Sequence, residues 1–101
     1  MVGKYYVVVW TKRSQQHMRQ IFDYICKDSY LEAGKVLEEI IIAANKAISN
    51  PEFYPRYKYK IDNDGSYRAF EKFSYRISYR FTEKTIRILR VRHTGREPKD
   101  Y

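Results

Sequence analysis

The sequence contains little of what would build a disulfide framework, a metal centre or a membrane span. Its single cysteine, Cys26, excludes a disulfide within one chain and a cysteine-based metal site. No run of about 18 apolar residues occurs, and the apolar start of the chain is too short for a signal peptide. We therefore expect the 101 residues to form one domain over 1–101. We expect it in the reducing cytoplasm, with no membrane association, metal or cofactor.

Acidic residues are scarce in the second half of the chain. The whole sequence has 20 Lys and Arg against 12 Asp and Glu, a net charge of +8. Residues 1–55 carry 7 basic and 6 acidic side chains, whereas residues 56–101 carry 13 basic and 6 acidic ones. Tyrosines alternate with the basic residues, as in YPRYKYK (54–60). Cations neutralise phosphates and rings stack on bases, so this half predicts polyanion binding, although an acidic protein partner would satisfy the same charge.

The hydrophobic pattern predicts the element order β-αα-βββ. It indicates a strand, two amphipathic helices and three further strands, over residues 4–10, 15–28, 29–48, 67–73, 75–81 and 85–91. Ser29 and Glu32 have capping-box spacing, and Asn50 before Pro51 ends the second helix. Helices joined by so short a link form an antiparallel hairpin. We therefore expect an α+β fold, with this hairpin packed on one face of a mostly antiparallel four-stranded sheet.

The last predicted strand does not alternate strictly between apolar and polar residues. Ile86 and Ile88 fall on one face, whereas Leu89 and Val91 fall on the other. This change of phase predicts either a β-bulge within the strand or partial burial of both faces.

Arginines are the main candidates for function on the sheet face that points away from the helices. We expect that polar face to carry Arg68, Arg76, Arg90 and Arg92. Arg76 lies within the predicted central strand, and a rigidly held guanidinium suits bidentate phosphate recognition. The plain alternative is a charged and solvated outer face, which is common in half-exposed sheets.

The C-terminal residues add groups that can transfer protons. His93 lies just beyond the last predicted strand, and Tyr101 ends the chain with a phenol. A single histidine among arginines is a poor metal site. RNA supplies its own nucleophile, the 2′-hydroxyl, so a base, a phosphate-binding arginine and an acid would be sufficient for cleavage. The residues are therefore compatible with RNA cleavage as well as with polyanion binding alone.

Five segments occur in an order that is typical of one toxin superfamily. They are VVWTKRS (8–14), IFDYI (21–25), NPE (50–52), YRAFEKFSYRISYRF (67–81) and IRILRVRHTGREPKDY (86–101). With them the chain resembles, over its full length, the RelE/ParE superfamily of toxins from type II toxin–antitoxin modules. The resemblance implies one of two activities. RelE-like members cleave mRNA in the ribosomal A site without a metal, whereas ParE-like members inhibit DNA gyrase.

The resemblance also implies roles for individual residues. Arg76 matches the strand arginine that RelE-like enzymes use on the scissile phosphate. Arg96 and Tyr101 resemble their C-terminal arginine and tyrosine, and His93 lies near the catalytic histidine of other ribonuclease members. Arg68 falls near the first of two lysines in the RelE pattern.

Two features of the sequence depart from the RelE pattern. The second lysine position falls on or near Phe70, and no clear equivalent of the glutamate base of some relatives is present. The segment FYPRYKYKIDNDGSYRAF (53–70) is more similar to the ParE branch.

The function predicted from the sequence is therefore a toxin that cleaves mRNA at the ribosome, and gyrase inhibition by protein binding is the alternative. The predicted catalytic residues are Arg76, His93, Arg96 and Tyr101, and the predicted nucleic-acid contacts are Arg68, Arg90 and Arg92. The expected partners are a cognate antitoxin with an acidic segment and either the ribosome with its mRNA or DNA gyrase. A small basic nucleic-acid-binding module without toxicity is a third interpretation.

Overall fold

A computed structural model of the chain describes residues 6–96 and contains four strands, two α-helices and a short 3₁₀ helix. In chain order these are β1 (Val7–Trp10), α1 (Lys12–Cys26), α2 (Tyr30–Asn45), β2 (Tyr67–Lys72), β3 (Tyr75–Phe81), β4 (Thr85–His93) and the 3₁₀ helix Thr94–Arg96. The predicted β-αα-βββ order and the α+β class are confirmed.

The four strands form one mixed sheet in the order β1-β4-β3-β2. β4 is antiparallel to β3, and β3 is antiparallel to β2. β1 is parallel to β4 and lies at the edge of the sheet. The first and last strands are therefore neighbours, and the two helices connect β1 to the other three strands. Both helices pack on the same face, which we call the helix face; the opposite one is the outer face.

Side-chain caps fix where each helix begins. The Thr11 hydroxyl accepts a hydrogen bond from the Ser14 N–H at 3.1 Å, and the Ser29 hydroxyl accepts one from the Glu32 N–H at 3.1 Å. Each cap satisfies an N–H group that has no partner within the first helical turn. α2 ends at Asn45, three residues before the predicted end, because the chain tightens there into i→i−3 hydrogen bonds through Ile48.

The hydrophobic core lies between the helix hairpin and the helix face of the sheet. Its fully buried side chains on the strands include Ile77, Tyr79, Ile86 and Ile88, and Ile40 faces them from α2. The Tyr79 hydroxyl, buried with its ring, donates a hydrogen bond to the Pro51 carbonyl at 2.6 Å. Burial raises the pKa of Tyr79, so this phenol stays protonated and holds the chain after α2 against the sheet.

A β-bulge in β4 explains the irregular pattern of the last strand. Ser78 pairs with Arg90, but the next residue of β3, Tyr79, pairs with Ile88, so Leu89 is the extra residue. The bulge returns Val91 to the helix face, where it is buried with Ile86 and Ile88. Of the two alternatives that the sequence left open, the bulge is the one that occurs.

Neither helix among the described residues could span a membrane, since α1 has 15 residues and α2 has 16.

Replacing Ile77 by alanine tests the position of this core. Ile77 is completely buried in the central strand, so Ile77→Ala should lower the free energy of unfolding by about 2–5 kcal/mol through lost burial and a residual cavity. Ile61→Ala, the same substitution at an exposed loop residue, should change it by no more than about 0.5 kcal/mol. Urea unfolding of both variants measures the difference. Equal effects would contradict the assigned core.

Candidate functional site

Arg76 lies on the outer face, as predicted, but its guanidinium is held by neighbouring side chains. The residue is only 8% exposed. Its Nη2 forms an ion pair and a hydrogen bond with Glu71, which lies directly opposite on β2. Its guanidinium carbon lies 5.1 Å from the centre of the Tyr59 ring, a cation–π distance. Removing an arginine from this ion pair to contact a substrate phosphate would leave a carboxylate without its partner.

Arg68 does not lie on the outer face, and the expectation that it does is wrong. It pairs with Tyr79, and paired residues project from the same face, which here is the helix face. The Arg68 Nε donates to the Gly65 carbonyl at 2.8 Å and Nη1 donates to the Tyr54 carbonyl at 3.1 Å. Arg68 therefore fastens the segment before β2 to the edge of the sheet. The sequence pattern could not show this, because apolar residues occur on both faces of β2.

The segment of residues 52–66 packs along β2 and continues over the outer face. Main-chain hydrogen bonds join Tyr57 to Tyr67 and Ala69 to Pro55, so the segment forms an isolated antiparallel bridge with β2. Tyr57 is buried and its ring contacts the ring of Tyr59, which covers Arg76. The segment therefore buries Tyr57 and Arg76 on this part of the outer face, whereas Glu71 beside them stays exposed.

A turn stabilises this covering segment. The Asn63 side-chain oxygen accepts hydrogen bonds from the N–H groups of Gly65 at 2.8 Å and Tyr67 at 3.2 Å. Gly65 has φ +97°, which a residue with a side chain rarely adopts. The sequence DNDG (62–65) thus forms a turn, and its glycine is required by the backbone.

Four of the outer-face arginines of β3 and β4 form two cross-strand pairs of like charge. Arg80 pairs with Arg87, and Arg76 pairs with Arg92. Like charges directly opposite one another destabilise a sheet. β3 and β4 contain no acidic residue, although Arg76 is ion-paired with Glu71 of β2. Between the two pairs lies Ser78 opposite Arg90, and the Ser78 hydroxyl and the Arg92 Nε are buried without a hydrogen-bond partner.

His93 lies on the helix side of the sheet, at the end of β4. It pairs with Tyr75, and the two rings meet edge to face with their centres 5.6 Å apart. The His93 Nδ1 accepts a hydrogen bond from the Gly95 N–H at 3.1 Å, so Nδ1 is unprotonated in this arrangement. Arg76 pairs with Arg92, so these two arginines project from the same face. His93 follows Arg92 in β4 and therefore projects from the opposite face, because successive residues of a strand alternate in direction.

A cleft of about 670 Å³ opens beside His93, between α1 and the ends of β3 and β4. α1 contributes polar and aromatic side chains to one wall, and the β2–β3 turn contributes the other. Its lining includes His17, Tyr24, Phe73, Tyr75, Arg92 and His93. The cleft therefore combines aromatic rings, two imidazoles and an arginine.

His17 is the residue of this cleft to which the sequence had assigned no role. Its Nδ1 accepts a hydrogen bond from the Val91 N–H at 3.1 Å, across 74 positions of sequence. β1 pairs with β4 only as far as Ile88. Beyond that point the imidazole, instead of a neighbouring strand, accepts the hydrogen bond from the backbone of β4. Only a neutral ring with an unprotonated Nδ1 can accept this bond. No local signal could have revealed it, because the partner is a backbone group of the last strand.

The electrostatic surroundings keep His17 neutral. Burial lowers its pKa below the ordinary value, and the positive charges of Arg92, Arg13 and Arg90 lower it further. Two of these arginines, Arg90 and Arg92, also give the outer face its charge, so they favour the form of His17 that holds β4.

The structure does not bring the predicted catalytic residues together among those it describes. Arg76 and His93 lie on opposite faces. Arg96 belongs to the 3₁₀ helix after β4, and nothing is described of its side chain; Tyr101 lies outside the described residues. Of the predicted nucleic-acid contacts, Arg90 and Arg92 are on the outer face and Arg68 is not. Within residues 6–96, no group of three or more His, Cys, Asp or Glu side chains could hold a metal ion. The roles assigned to these residues stay predictions.

Lowering the pH should weaken the fold through His17. Its pKa is lowered in the folded state, so the unfolded chain binds more protons, and stability should fall as the pH drops below about 6.5. His17→Ala should remove part of this pH dependence. It should also cost about 1–3 kcal/mol at neutral pH, because the Val91 N–H loses its acceptor.

Urea unfolding at several pH values between about 5 and 8 measures this effect. His93→Ala is the control, because it removes the other histidine and leaves the hydrogen bond between His17 and Val91 in place. A pH dependence that is unchanged in His17→Ala would contradict the role of this bond.

Comparisons with known proteins identify the family. The profile of the ParE toxin family, described as the ParE toxin of the type II toxin–antitoxin system parDE, matches residues 8–98. Among solved structures, a chain of the chromosomal ParDE toxin–antitoxin system from P. aeruginosa is similar in fold, with a TM-score of 0.67 and 19% sequence identity over 87% of this chain and 95% of that chain. No curated protein matches in sequence. The match over residues 8–98 shows that the chain belongs to the ParE toxin family of type II toxin–antitoxin systems.

Proposed function

We propose that this toxin arrests growth by binding DNA gyrase and inhibiting it, without cleaving RNA. The observation that carries the proposal is the family match over residues 8–98, which falls within the ParE branch of the superfamily rather than the RelE branch. Within the superfamily, gyrase inhibition is the activity that the resemblance implies for ParE-like toxins. The similarity in fold to a ParDE chain is consistent with the same branch.

The environment of Arg76 supports this choice. An arginine that clamps a scissile phosphate must present its guanidinium to the substrate. In this chain the guanidinium is buried between Glu71 and Tyr59. His93, which the sequence also predicts to be catalytic, lies on the other face of the sheet, so one substrate phosphate cannot contact both side chains in this arrangement.

A toxin that acts by binding needs exposed surfaces rather than a catalytic centre. Arg80 and Arg87 are exposed on the outer face, and β3 and β4 contain no acidic residue; Asp64, in the turn before β2, lies near Arg80. Such a face attracts acidic protein surfaces and accelerates their association. We assign it to the contact with the target.

A type II toxin also has a cognate antitoxin as its partner. The net charge of +8 supports an antitoxin whose toxin-binding segment is acidic. The antitoxin would prevent the toxin from reaching its target by covering part of the basic surface or part of the helix side.

Ribosome-dependent mRNA cleavage is the second candidate, and one observation favours it. The cleft beside β4 holds His93, Tyr75 and Arg92 together, and these are groups that can move protons and bind a phosphate. Arg76 does not line this cleft, although it is the residue that matches the phosphate-binding arginine of RelE-like enzymes.

Inducible expression in bacteria separates the two candidates. A gyrase inhibitor should stop DNA synthesis, measured by thymidine pulse labelling, before protein synthesis measured by methionine labelling. The purified toxin should also inhibit supercoiling of relaxed plasmid by gyrase. His93→Ala should keep both effects, because its imidazole has no part in binding gyrase by the outer face.

Arrest of translation before replication, with fragmented mRNA and loss of both effects in His93→Ala, would overturn the gyrase proposal. It would establish the ribonuclease candidate instead. Arg87→Glu reverses an exposed outer-face charge and should weaken gyrase inhibition at least about tenfold if that face makes the contact.

A further inference from the structure

Helix α2 carries apolar side chains on its exposed side as well as on the side that packs in the core. Leu31 is 83% exposed, Ile42 50% and Ile41 41%. A surface helix normally presents polar residues to solvent. α1 does so, since its exposed residues other than Tyr24 are Lys12, Arg13, Gln15, Gln16, Arg19, Gln20 and Asp23. The apolar exposed side of α2 therefore indicates a contact with another molecule.

The exposed residues of α2 share one side of the helix. They recur three and four positions apart, the spacing that places side chains above one another on a helix. We call this surface the α2 face, and its residues are Leu31, Gly34, Lys35, Glu38, Ile41, Ile42 and Asn45. Because the opposite side of α2 packs in the core, the α2 face points away from the sheet.

Gly34 is a residue of the α2 face that packing within the chain does not explain. It lies in the interior of the helix, where glycine is less favourable than alanine. A Cβ atom built at this position would meet no other atom within 4 Å, so the fold has room for a side chain. An exposed glycine allows a second molecule to approach the helix backbone closely.

The charges of the α2 face favour a second copy of this chain as the occupant. Lys35 and Glu38 are the charged residues of the face, so its net charge is zero. Residues 56–101 carry 13 basic and 6 acidic side chains, and two copies repel one another through that half. An acidic segment of another protein would be attracted to that basic half rather than to the neutral α2 face.

The positions of these residues are also self-complementary. Lys35 and Glu38 are equally far from the midpoint between residues 36 and 37, and so are Leu31 and Ile42. Two copies of α2 that pack antiparallel about a two-fold axis at this midpoint bring symmetric positions together. Lys35 of each copy then meets Glu38 of the other, and Leu31 of each copy meets Ile42 of the other.

We propose that two copies of this chain form a homodimer through the α2 face, with their α2 helices antiparallel. Nearly antiparallel helices stay in contact over several turns, so the two charge pairs at the centre and the apolar pairs at the ends form together. Gly34 and Ile41 lie seven positions apart on one flank of the face, and Gly34 leaves space for Ile41 of the other copy. The dimer leaves both outer faces exposed. The inference does not depend on which molecule the toxin inhibits.

Reversing the two charges one at a time tests the pairing between copies. Lys35→Glu and Glu38→Lys each place like charges opposite one another, so each should raise the dissociation constant of the dimer at least about tenfold. An equimolar mixture of the two variants should form a heterodimer as tightly as the wild type forms its homodimer, because the acidic pair of one variant faces the basic pair of the other. A charge pair within one helix cannot produce this recovery.

Sedimentation equilibrium of the purified full-length toxin measures these constants, and native mass spectrometry identifies the heterodimer in the mixture. We expect a dissociation constant in the micromolar range for the wild type, because a single helix face is at the small end of protein interfaces.

Ile42→Ser tests the apolar part of the interface. It should raise the dissociation constant at least about tenfold and leave the melting temperature of the dilute protein unchanged, because Ile42 is exposed in the single chain. Ile61→Ser is the matched control. It makes the same substitution at a residue that is 54% exposed in the segment before β2, and it should dimerise as the wild type does.

A wild-type toxin that stays monomeric at high micromolar concentration would overturn the proposal. So would a mixture of the charge variants that fails to recover, or an Ile42→Ser variant that dimerises normally. A monomeric wild type whose Ile42→Ser variant loses antitoxin binding or gyrase inhibition would assign the α2 face to that partner instead. A dimer that forms through the α2 face but does not inhibit gyrase would refute the proposed function and support this inference.

Discussion

The β-bulge at Leu89 is the constraint on which the arrangement of the last strand depends. Side chains alternate along a strand, so a shift of one residue exchanges its two faces. Without the extra residue, Val91 would leave the core, and Arg90 and Arg92 would point into the space below α1. The bulge therefore keeps one apolar face through β4 and at the same time places the arginines outside. Burial of guanidinium groups without partners would be far more costly than the local disruption of one ladder position.

The position of β4 makes this constraint global. The strand is central, with β1 on one side and β3 on the other, and it joins the N-terminal strand to the C-terminal hairpins. Where β1 ends, His17 of α1 satisfies the next N–H group of β4. One imidazole therefore connects the first helix to the end of the last strand, and the arginines of that strand help to keep the imidazole neutral. Charge on the outer face and helix packing on the other face are physically coupled.

The arginines of this basic chain divide into two groups with different physical roles. Arg68 and Arg76 are mostly buried and are held by main-chain carbonyls, Glu71 and aromatic rings, so they stabilise the segment that covers part of the sheet. Arg80 and Arg87 form a like-charge pair and are both exposed on the outer face. Such a pair opposes folding, and it lies on the surface that we assign to the target.

The sequence by itself determined the element order, the helix cap at Ser29, and the existence of an irregularity in the last strand, because each follows from local rules of spacing, capping and alternation. Only the tertiary structure decided that Arg68 faces the helices, that Arg76 is buried beneath Tyr59, and that His17 binds Val91. These contacts join residues up to 74 positions apart through strand register and the path of a covering segment. A single sequence carries no direct signal for register, so faces and partners became visible only once the strands were paired.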